Sequence, residues 1–203
     1  MAPRTRRPAD GRLGAAALVP ADDLRLIAPN LDKLPLYEAA LAAGWSPDTE
    51  RDVSAEHLAA LRRDPQAFLA ELTRQDGTII TAAGRVVPRL PSRIRWLDDG
   101  EFCGVINLRF VQDSDALPDY VSGHIGYAVV PWKRRRGYAT RALALMLPIA
   151  REARLTCIEI TCDDDNEPSR RVIVKNGGEL IGARPAAGGK TKLVFRIDLA
   201  AGR

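Results

Sequence analysis

One succession of segments limits the fold more than any other part of the sequence: an apolar run, a glycine-containing loop, an amphipathic helix and a second apolar run. The first run, HIGYAVV from His124, and the last, CIEITC from Cys157, have the length and β-branched content of strands. Between them, the residues from Tyr138 to about Ala153 have helical spacing. Two strands joined through a helix form a crossover, so we expect them to be parallel with a right-handed connection. The chain is therefore predicted to be an α/β protein.

The segments on either side of this crossover predict short helices and antiparallel hairpins. Upstream, a strand candidate at 24–29 precedes helical segments that end at Gly44 and Gly77. RIRWL and FCGVINLRF flank the turn dipeptide Asp99-Gly100, which is typical of a hairpin. Downstream, a proline suits the first turn of a helix at 168–178, and a hairpin around 188–189 ends the chain. The pattern thus combines parallel and antiparallel strand pairs.

Length and composition favour one domain with no membrane segment. With 203 residues and 46% hydrophobic side chains, the chain can bury a substantial core. We expect residues 1–20 to form a flexible basic tail and residues 21–203 to form a single domain. No apolar run suits a signal peptide or a membrane span. Three cysteines suit neither a disulfide framework nor a metal site and indicate a reducing cytoplasm, so no metal is expected.

A cluster of cations marks the candidate binding site. The run KRRR at 133–136 directly precedes Gly137 and the crossover helix. N–H groups in the first turn of a helix lack intrahelical partners and carry the positive end of the helix dipole, so they bind anions. Gly137 allows close approach of the backbone, Ala139 keeps the site open, and Thr140 adds a hydroxyl. A phosphate site is therefore predicted, and a nucleic-acid-binding surface is the alternative.

The residues around this loop carry a resemblance to a known family. Arg134, Gly137 and Ala139 form an Arg-x-x-Gly-x-Ala arrangement that resembles the pyrophosphate-binding motif of the GNAT superfamily of acyl-CoA-dependent N-acetyltransferases. Asn166 and Ser169 match the Asn-x-x-Ala/Ser pattern that opens the next helix in that family. The sequences GVIN.R, GHIGY, TCD.DN and KNGG are similar to those of a bacterial branch of predicted GNAT acetyltransferases. The resemblance extends from about residue 96 to the end of the chain.

This resemblance implies a fold, a cofactor and a set of contacts. The fold would be a mixed, mostly antiparallel sheet of the α/β (α+β) class, with one splayed parallel strand pair and helices on both faces. Acetyl-CoA would enter where the pair separates. Arg171 or Lys175 could meet its 3′-phosphate. The other predicted cofactor contacts are Tyr127, Val129, Val130, Arg134, Arg135, Arg136, Gly137, Tyr138, Ala139, Thr140, Asn166 and Ser169.

The resemblance leaves the acid–base chemistry partly unassigned. Many family members place a tyrosine that protonates the leaving sulfur where this chain has Ile173. A backbone N–H near Val129 or Val130 is expected to polarise the thioester carbonyl. His124 is the candidate general base because its intrinsic pKa suits proton transfer near neutrality. The alternatives are water and four carboxylates: Asp113, Asp115, Glu159 and Asp163.

We expect direct acetyl transfer to a primary amine of a small molecule. Cys162 has no evident base partner, which disfavours a covalent intermediate. A protein amine is the second choice of acceptor, a homodimer stays open, and neither a membrane nor a nucleic acid is an expected partner. Two alternatives from other classes are a CoA-binding sensor without turnover and a basic module that binds nucleic acid.

Overall fold

The computed structural model describes residues 23–81, 84–186 and 189–199. The predicted flexible tail at 1–20 lies outside these residues. The helices are α1 (Leu34–Ala42), α2 (Ser54–Arg63), α3 (Pro65–Leu72), α4 (Tyr138–Glu152) and α5 (Glu167–Lys175). The strands are β1 (Arg25–Ile27), β2 (Thr78–Ile80), β3 (Val86–Pro88), β4 (Ser92–Asp98), β5 (Phe102–Arg109), β6 (Ile125–Val129), β7 (Cys157–Asp163), β8 (Glu179–Pro185) and β9 (Thr191–Asp198).

Two antiparallel sheets meet along the predicted crossover. Strands β1, β4, β5 and β6 form one sheet in the order β1-β4-β5-β6, and the other has the order β7-β9-β8. Strands β6 and β7 touch near their beginnings, where the N–H of His124 donates to the carbonyl of Glu159 (2.7 Å). The later residues of both strands line one cleft. Because the strands touch near their beginnings and separate toward their ends, they run in the same direction. The predicted splayed parallel pair is confirmed.

Helices cover both faces of the first sheet because its strands alternate between two apolar sides. Ile106 and Leu108 of β5 pack with α4 residues such as Met146 in one buried cluster. Trp96 and Val105 pack with α1 to α3 in the other. Within the described ranges, no helix is long and apolar enough to cross a membrane.

Two local features differ from the sequence prediction. Helix α3 ends at Leu72, earlier than the predicted end at Gly77. The short hairpin of β2 and β3 was not predicted, and its residues are mostly exposed, with Ile80 at 75%. Such strands lack the buried, alternating pattern from which a strand can be inferred.

Candidate active site

The cleft between β6 and β7 has a volume of about 1310 Å³. Its walls are the two strands, the loop that follows β6, and the first turns of α4 and α5. The loop at 44–49, between α1 and α2, also contributes to the lining. The cleft is therefore large enough for an extended ligand and open to a second one.

The backbone groups of β6 alternate between β5 and the cleft. The N–H of Val130 donates to the carbonyl of Cys103 on β5 (3.0 Å), and the register is regular along the pair. The N–H and C=O groups of Tyr127 and Val129 therefore face the cleft. This geometry corrects one expectation: the N–H of Val130 is engaged by β5, so it is not free to polarise a ligand carbonyl.

The opposite wall presents a similar open edge. On β7, the N–H of Asp164 donates to the carbonyl of Thr191 (3.0 Å), so the even-numbered positions face β9. The backbone groups of Thr161 and Asp163 consequently face β6 across the cleft. An extended chain with amide groups can pair with either edge, as a strand would.

The loop after β6 forms a concave surface of backbone N–H groups. A 3-10 turn (Pro131–Lys133) is followed by left-handed conformations at Arg135 (φ 62°) and Gly137 (φ 83°). The first hydrogen bond of α4 is donated by Arg141 to the carbonyl of Gly137 (3.0 Å), so the N–H groups of Ala139 and Thr140 precede the helical ladder. Alternating backbone conformations before a helix N-terminus make an anion-binding site.

Lys133 does not belong to the exposed cations of this loop. Its Nζ lies 2.8 Å from a carboxylate oxygen of Asp99 and 2.8 Å from one of Glu101, and its side chain is only 8% exposed. The hydroxyl of Tyr138 donates to the same Asp99 carboxylate (2.5 Å). The first cation of the run therefore attaches the loop and the start of α4 to the turn between β4 and β5.

The pKa values in this cluster follow from burial and pairing. Burial opposes the charge of Asp99, yet hydrogen bonds from Lys133 and Tyr138 hold the pKa of its carboxyl well below the usual range. Burial likewise opposes the charge of Lys133, but the hydrogen bonds to Asp99 and Glu101 raise its pKa. Burial and the Asp99 carboxylate raise the pKa of Tyr138 to about 12. The pair is therefore ionised at neutral pH and Tyr138 is protonated.

The remaining three cations of the run are exposed. Arg134 and Arg135 line the cleft, and the Nε of Arg134 donates to the carbonyl of Val129 (3.1 Å). Arg136 is exposed but does not line the cleft. On α5, Arg171 and Lys175 are also part of the cleft wall, as expected for residues that meet an anionic ligand.

Two hydroxyl groups meet inside the cleft. Asn166 caps α5 by accepting a hydrogen bond from the N–H of Ser169 (3.1 Å). The Oγ of Ser169 lies 2.7 Å from the phenolic oxygen of Tyr127, and both residues line the cleft beside Cys162. Burial raises the pKa of Tyr127 to about 12, so its phenol can donate a proton across the neutral range.

Cys162 is a buried thiol, and Ile173 is a core residue. Burial raises the pKa of Cys162, which keeps it protonated and a weak nucleophile. Ile173 is fully buried in the apolar cluster under α4 and does not line the cleft. The position used by a tyrosine in many family members therefore contributes packing in this chain.

His124 lies where β6 and β7 touch, outside the residues that line the cleft. It is 1% exposed, its Nδ1 accepts a hydrogen bond from the N–H of Glu159 (2.9 Å), and burial lowers its pKa. Its Nε2 is enclosed, with no partner among the described residues. His124 therefore helps to join β6 to β7. Its role as a general base stays a prediction, and its side chain is not among the residues that line the cleft.

The four carboxylates considered as alternative bases are all engaged. Their partners are Arg184 for Glu159, Lys190 and Lys192 for Asp163, Thr156 for Asp115, and Arg154 (3.8 Å) for Asp113. Only Asp163 of these lines the cleft. Burial opposes its charge, but Lys192 and Lys190 lower its pKa, so Asp163 is a weak base.

Residues 45–179 match the sequence model of the acetyltransferase (GNAT) domain. The chain belongs to this family. It is an acetyltransferase, and acetyl-CoA is its donor. The cleft fits this substrate, because the N–H-lined loop suits a diphosphate and the open strand edges suit the amides of pantetheine. Comparison with curated protein sequences gave no match.

Solved structures of the family share the fold at low identity. A microcin self-immunity acetyltransferase, MccE, bound to acetyl-CoA and AMP, superposes with a TM-score of 0.59 at 13% identity over 87% of this chain and 93% of that chain. The ribosomal α-N-protein acetyltransferase RimL, in a disulfide with coenzyme A, superposes with a TM-score of 0.58 at 18% identity over 86% of this chain and 93% of that chain. RimJ of Mycobacterium smegmatis with a CoA disulfide superposes with a TM-score of 0.57 at 22% identity over 86% of this chain and 85% of that chain.

Several cleft residues were not predicted from the sequence. The loop at 44–49 contributes Trp45 and Asp48, which no local motif marks. Asn107 and Arg109 do not line the cleft but lie on β5, next to the cleft strand β6. Their signal is present in FCGVINLRF, where two polar residues alternate with apolar ones in an otherwise buried strand.

Proposed function

We propose that this enzyme transfers the acetyl group directly from acetyl-CoA to a primary amine of a small molecule. The observation that carries this proposal is the splayed pair of β6 and β7, whose open backbone edges share one cleft with the N–H-lined loop and with the loop at 44–49. Donor and acceptor can meet between the strands. Positioning of this kind supplies a large part of the barrier reduction for an activated thioester.

The cleft provides the groups that the reaction needs. An N–H of Tyr127 or Val129 stabilises the oxyanion as the amine attacks the carbonyl carbon. When the tetrahedral intermediate collapses, the C–S bond breaks and the Tyr127–Ser169 hydroxyl pair donates a proton to the leaving sulfur. The excess proton of the attacking nitrogen passes to water, because the cleft carboxylate Asp163 is held by two lysines.

A direct route is favoured over a covalent enzyme intermediate because the Cys162 thiol is buried and its pKa is raised. Residues 21–203 would form the catalytic domain. We place the enzyme in the cytoplasm because all three cysteines are buried free thiols. One of the structural neighbours named above, RimL, is a ribosomal α-N-protein acetyltransferase, so a protein N-terminus is the competing acceptor.

The test is a titration of acetyl-CoA by calorimetry, followed by free-thiol release with small amines and with N-terminal peptides. Binding together with turnover of small amines supports the proposal. Faster turnover of peptides would favour a protein acceptor. Binding of acetyl-CoA without any turnover would favour a sensor. Salt-dependent binding of nucleic acid without an acetyl-CoA site would favour a nucleic-acid-binding module. A stable acetylated protein formed from radiolabelled acetyl-CoA without acceptor would contradict direct transfer.

A further inference from the structure

Several polar atoms without partners lie on the face of the first sheet that turns away from α4 and in the loop that packs against this face. Among the described residues, the enclosed Nε1 atoms of Trp45 and Trp96, the Oδ1 of Asn107 and the Nε of Arg109 have no hydrogen bond. Trp45 and Trp96 belong to the apolar cluster under α1 to α3. Asn107 and Arg109 share the face of Val105, a member of the same cluster, because alternate residues of a strand point the same way. Buried polar groups are normally paired, so these atoms are available to a bound ligand.

Arg109 is the most costly of these groups. Its guanidinium is charged, and no carboxylate of the described residues lies within salt-bridge distance of it. Burial lowers the pKa of Arg109, and Glu50 and Asp48 oppose this only from a distance. Arg109 is half-buried, and its enclosed Nε has no partner among the described residues, so its charge is only partly solvated, which destabilises the folded protein. An anionic group of a bound ligand would pair this charge and offset the cost of burying it.

The position of Arg109 links it to the cleft. Its Nη2 atom lies 3.0 Å from the point where a Cβ on Gly126 would stand, so the absence of a side chain at Gly126 leaves room for the guanidinium. Gly126 itself lines the cleft. It precedes Tyr127, whose N–H faces the reacting carbonyl in the proposed mechanism. Arg109 therefore lies directly behind the strand on which the acetyl group is transferred.

Asn107 adds a complementary group on the same face. It pairs with Gly126 in the register of β5 and β6, and Arg109 follows two residues later, roughly 7 Å along the strand. The orphan Oδ1 of Asn107 is an acceptor for an amine N–H, and the guanidinium of Arg109 is a fork of donors for a carboxylate. The two groups match a small molecule that has an amine at one end and a carboxylate near it.

We propose that Arg109 binds a carboxylate of the acceptor, so the acetylated amine belongs to an amino acid or to another small amine that bears a carboxylate. This inference rests on the proposed function and narrows its substrate class. The guanidinium binds the carboxylate in place of water, and Asn107 orients the amine toward the thioester. A protein N-terminus offers no backbone carboxylate at this distance and leaves Arg109 unpaired.

The experiment compares each standard amino acid with its own primary amide as acceptor for the full-length enzyme at saturating acetyl-CoA, followed by free-thiol release. At least one amino acid should have a kcat/KM about 10- to 150-fold above that of its amide, the ratio expected for a hydrogen bond to a charged group. Equal kcat/KM values for acid and amide would overturn the inference. Preference for a phosphate ester of an amino alcohol would also overturn it.

Variants test whether Arg109 is the source of the preference. Arg109→Gln should raise KM for the acid and lower the acid-to-amide ratio of kcat/KM to near one. Arg109→Lys, which keeps the charge without the fork, should retain part of the ratio. A ratio that is unchanged in Arg109→Gln contradicts the proposal.

Stability provides a second readout, because an apolar side chain in place of a partly desolvated, unpaired cation removes the desolvation cost of the charge. Arg109→Met should raise the thermal midpoint by about 2 to 4 °C for each kcal/mol gained. A lowered midpoint would reveal a structural partner for Arg109 and overturn the inference. If the wild-type enzyme does not bind acetyl-CoA, the proposed function is refuted. If it binds acetyl-CoA but turns over no amino acid and no amide, the proposed acceptor class is refuted.

Discussion

The two sides of β6 hold their polar groups in opposite ways. On the donor side, the ligand-binding groups are backbone N–H and C=O groups, and the buried charges behind them, Lys133 and Asp99, are paired with each other. On the acceptor side, the available groups belong to side chains, and the half-buried Arg109 has no ion-pair partner among the described residues. The donor side is complete in the protein alone, whereas the acceptor side becomes complete when a ligand binds.

This difference has a physical reason. A cofactor shared by a whole family can be held by backbone geometry, which depends little on individual side chains. An acceptor that differs between enzymes must be selected by side chains, and selection requires groups that are unsatisfied when the correct ligand is absent. A buried charge that is paired within the protein needs no ligand, whereas an unpaired one is available to bind a ligand of opposite charge.

The strongest test of the contrast is to remove the paired cation. Lys133→Met leaves Asp99 as an uncompensated buried carboxylate, so we expect a loss of about 3 to 5 kcal/mol in the free energy of unfolding, measured with urea. Arg136→Met, in the same run but exposed, should change it by less than about 0.5 kcal/mol. If Lys133→Met and Arg109→Met shift stability in the same direction, the distinction between the two sides fails.

The second test concerns the backbone site of the donor side. Gly137→Glu places a negative side chain at a left-handed position beside the N–H groups that would bind the diphosphate. We expect the acetyl-CoA affinity to fall at least about 100-fold in calorimetry, which corresponds to about 2.7 kcal/mol.

Gly177 provides a matched control for this substitution. Its φ is also 83°, and it does not line the cleft. Gly177→Glu introduces the same strain and charge, so it should leave the acetyl-CoA affinity within about twofold while lowering stability by about 1 to 2 kcal/mol. Equal losses of affinity in the two variants would show that strain, and not the anion site, is responsible.

A smaller effect is expected from the hydroxyl pair. Tyr127→Phe removes the phenol that contacts Ser169, so kcat should fall about 10- to 100-fold with little change in KM for acetyl-CoA. Ser169→Ala should act similarly, and the double variant should be little worse than either single one because the two groups act together. Tyr120→Phe, which removes an exposed hydroxyl bonded to the carbonyl of Pro88, serves as the control. Full activity of Tyr127→Phe would exclude the pair from proton transfer.

The smallest effect concerns the pH dependence of this step. Burial raises the pKa of Tyr127 to about 12, so the phenol keeps its proton through the usual pH range of a tyrosine. A general acid is active in its protonated form and loses activity as the pH rises through its pKa. With a saturating acceptor, kcat should therefore stay flat from about pH 9 to 11. A decline centred near 10, absent in Tyr127→Phe, would indicate an unperturbed phenol.

Local sequence determined much of the fold and of the donor side. The crossover could be predicted from the order of its strand and helix patterns. The turn at Asp99-Gly100, the start of a helix at Asn166 and the glycine at 137 could be predicted because each depends on neighbours within a few residues. The family follows from the same motifs and is confirmed by the match at 45–179. The cofactor contacts themselves stay predictions, now supported by where the structure places most of them.

The tertiary structure alone decided how individual charges and backbone groups are used. It turned Lys133 inward to Asp99, directed the N–H of Val130 to β5, and enclosed His124 beside Glu159. It also brought Arg109 behind Gly126. These outcomes depend on strand register and on partners that are distant in sequence, so no local pattern encodes them. What the chain binds as donor follows from its motifs, and what it selects as acceptor depends on which buried groups the fold leaves unpaired.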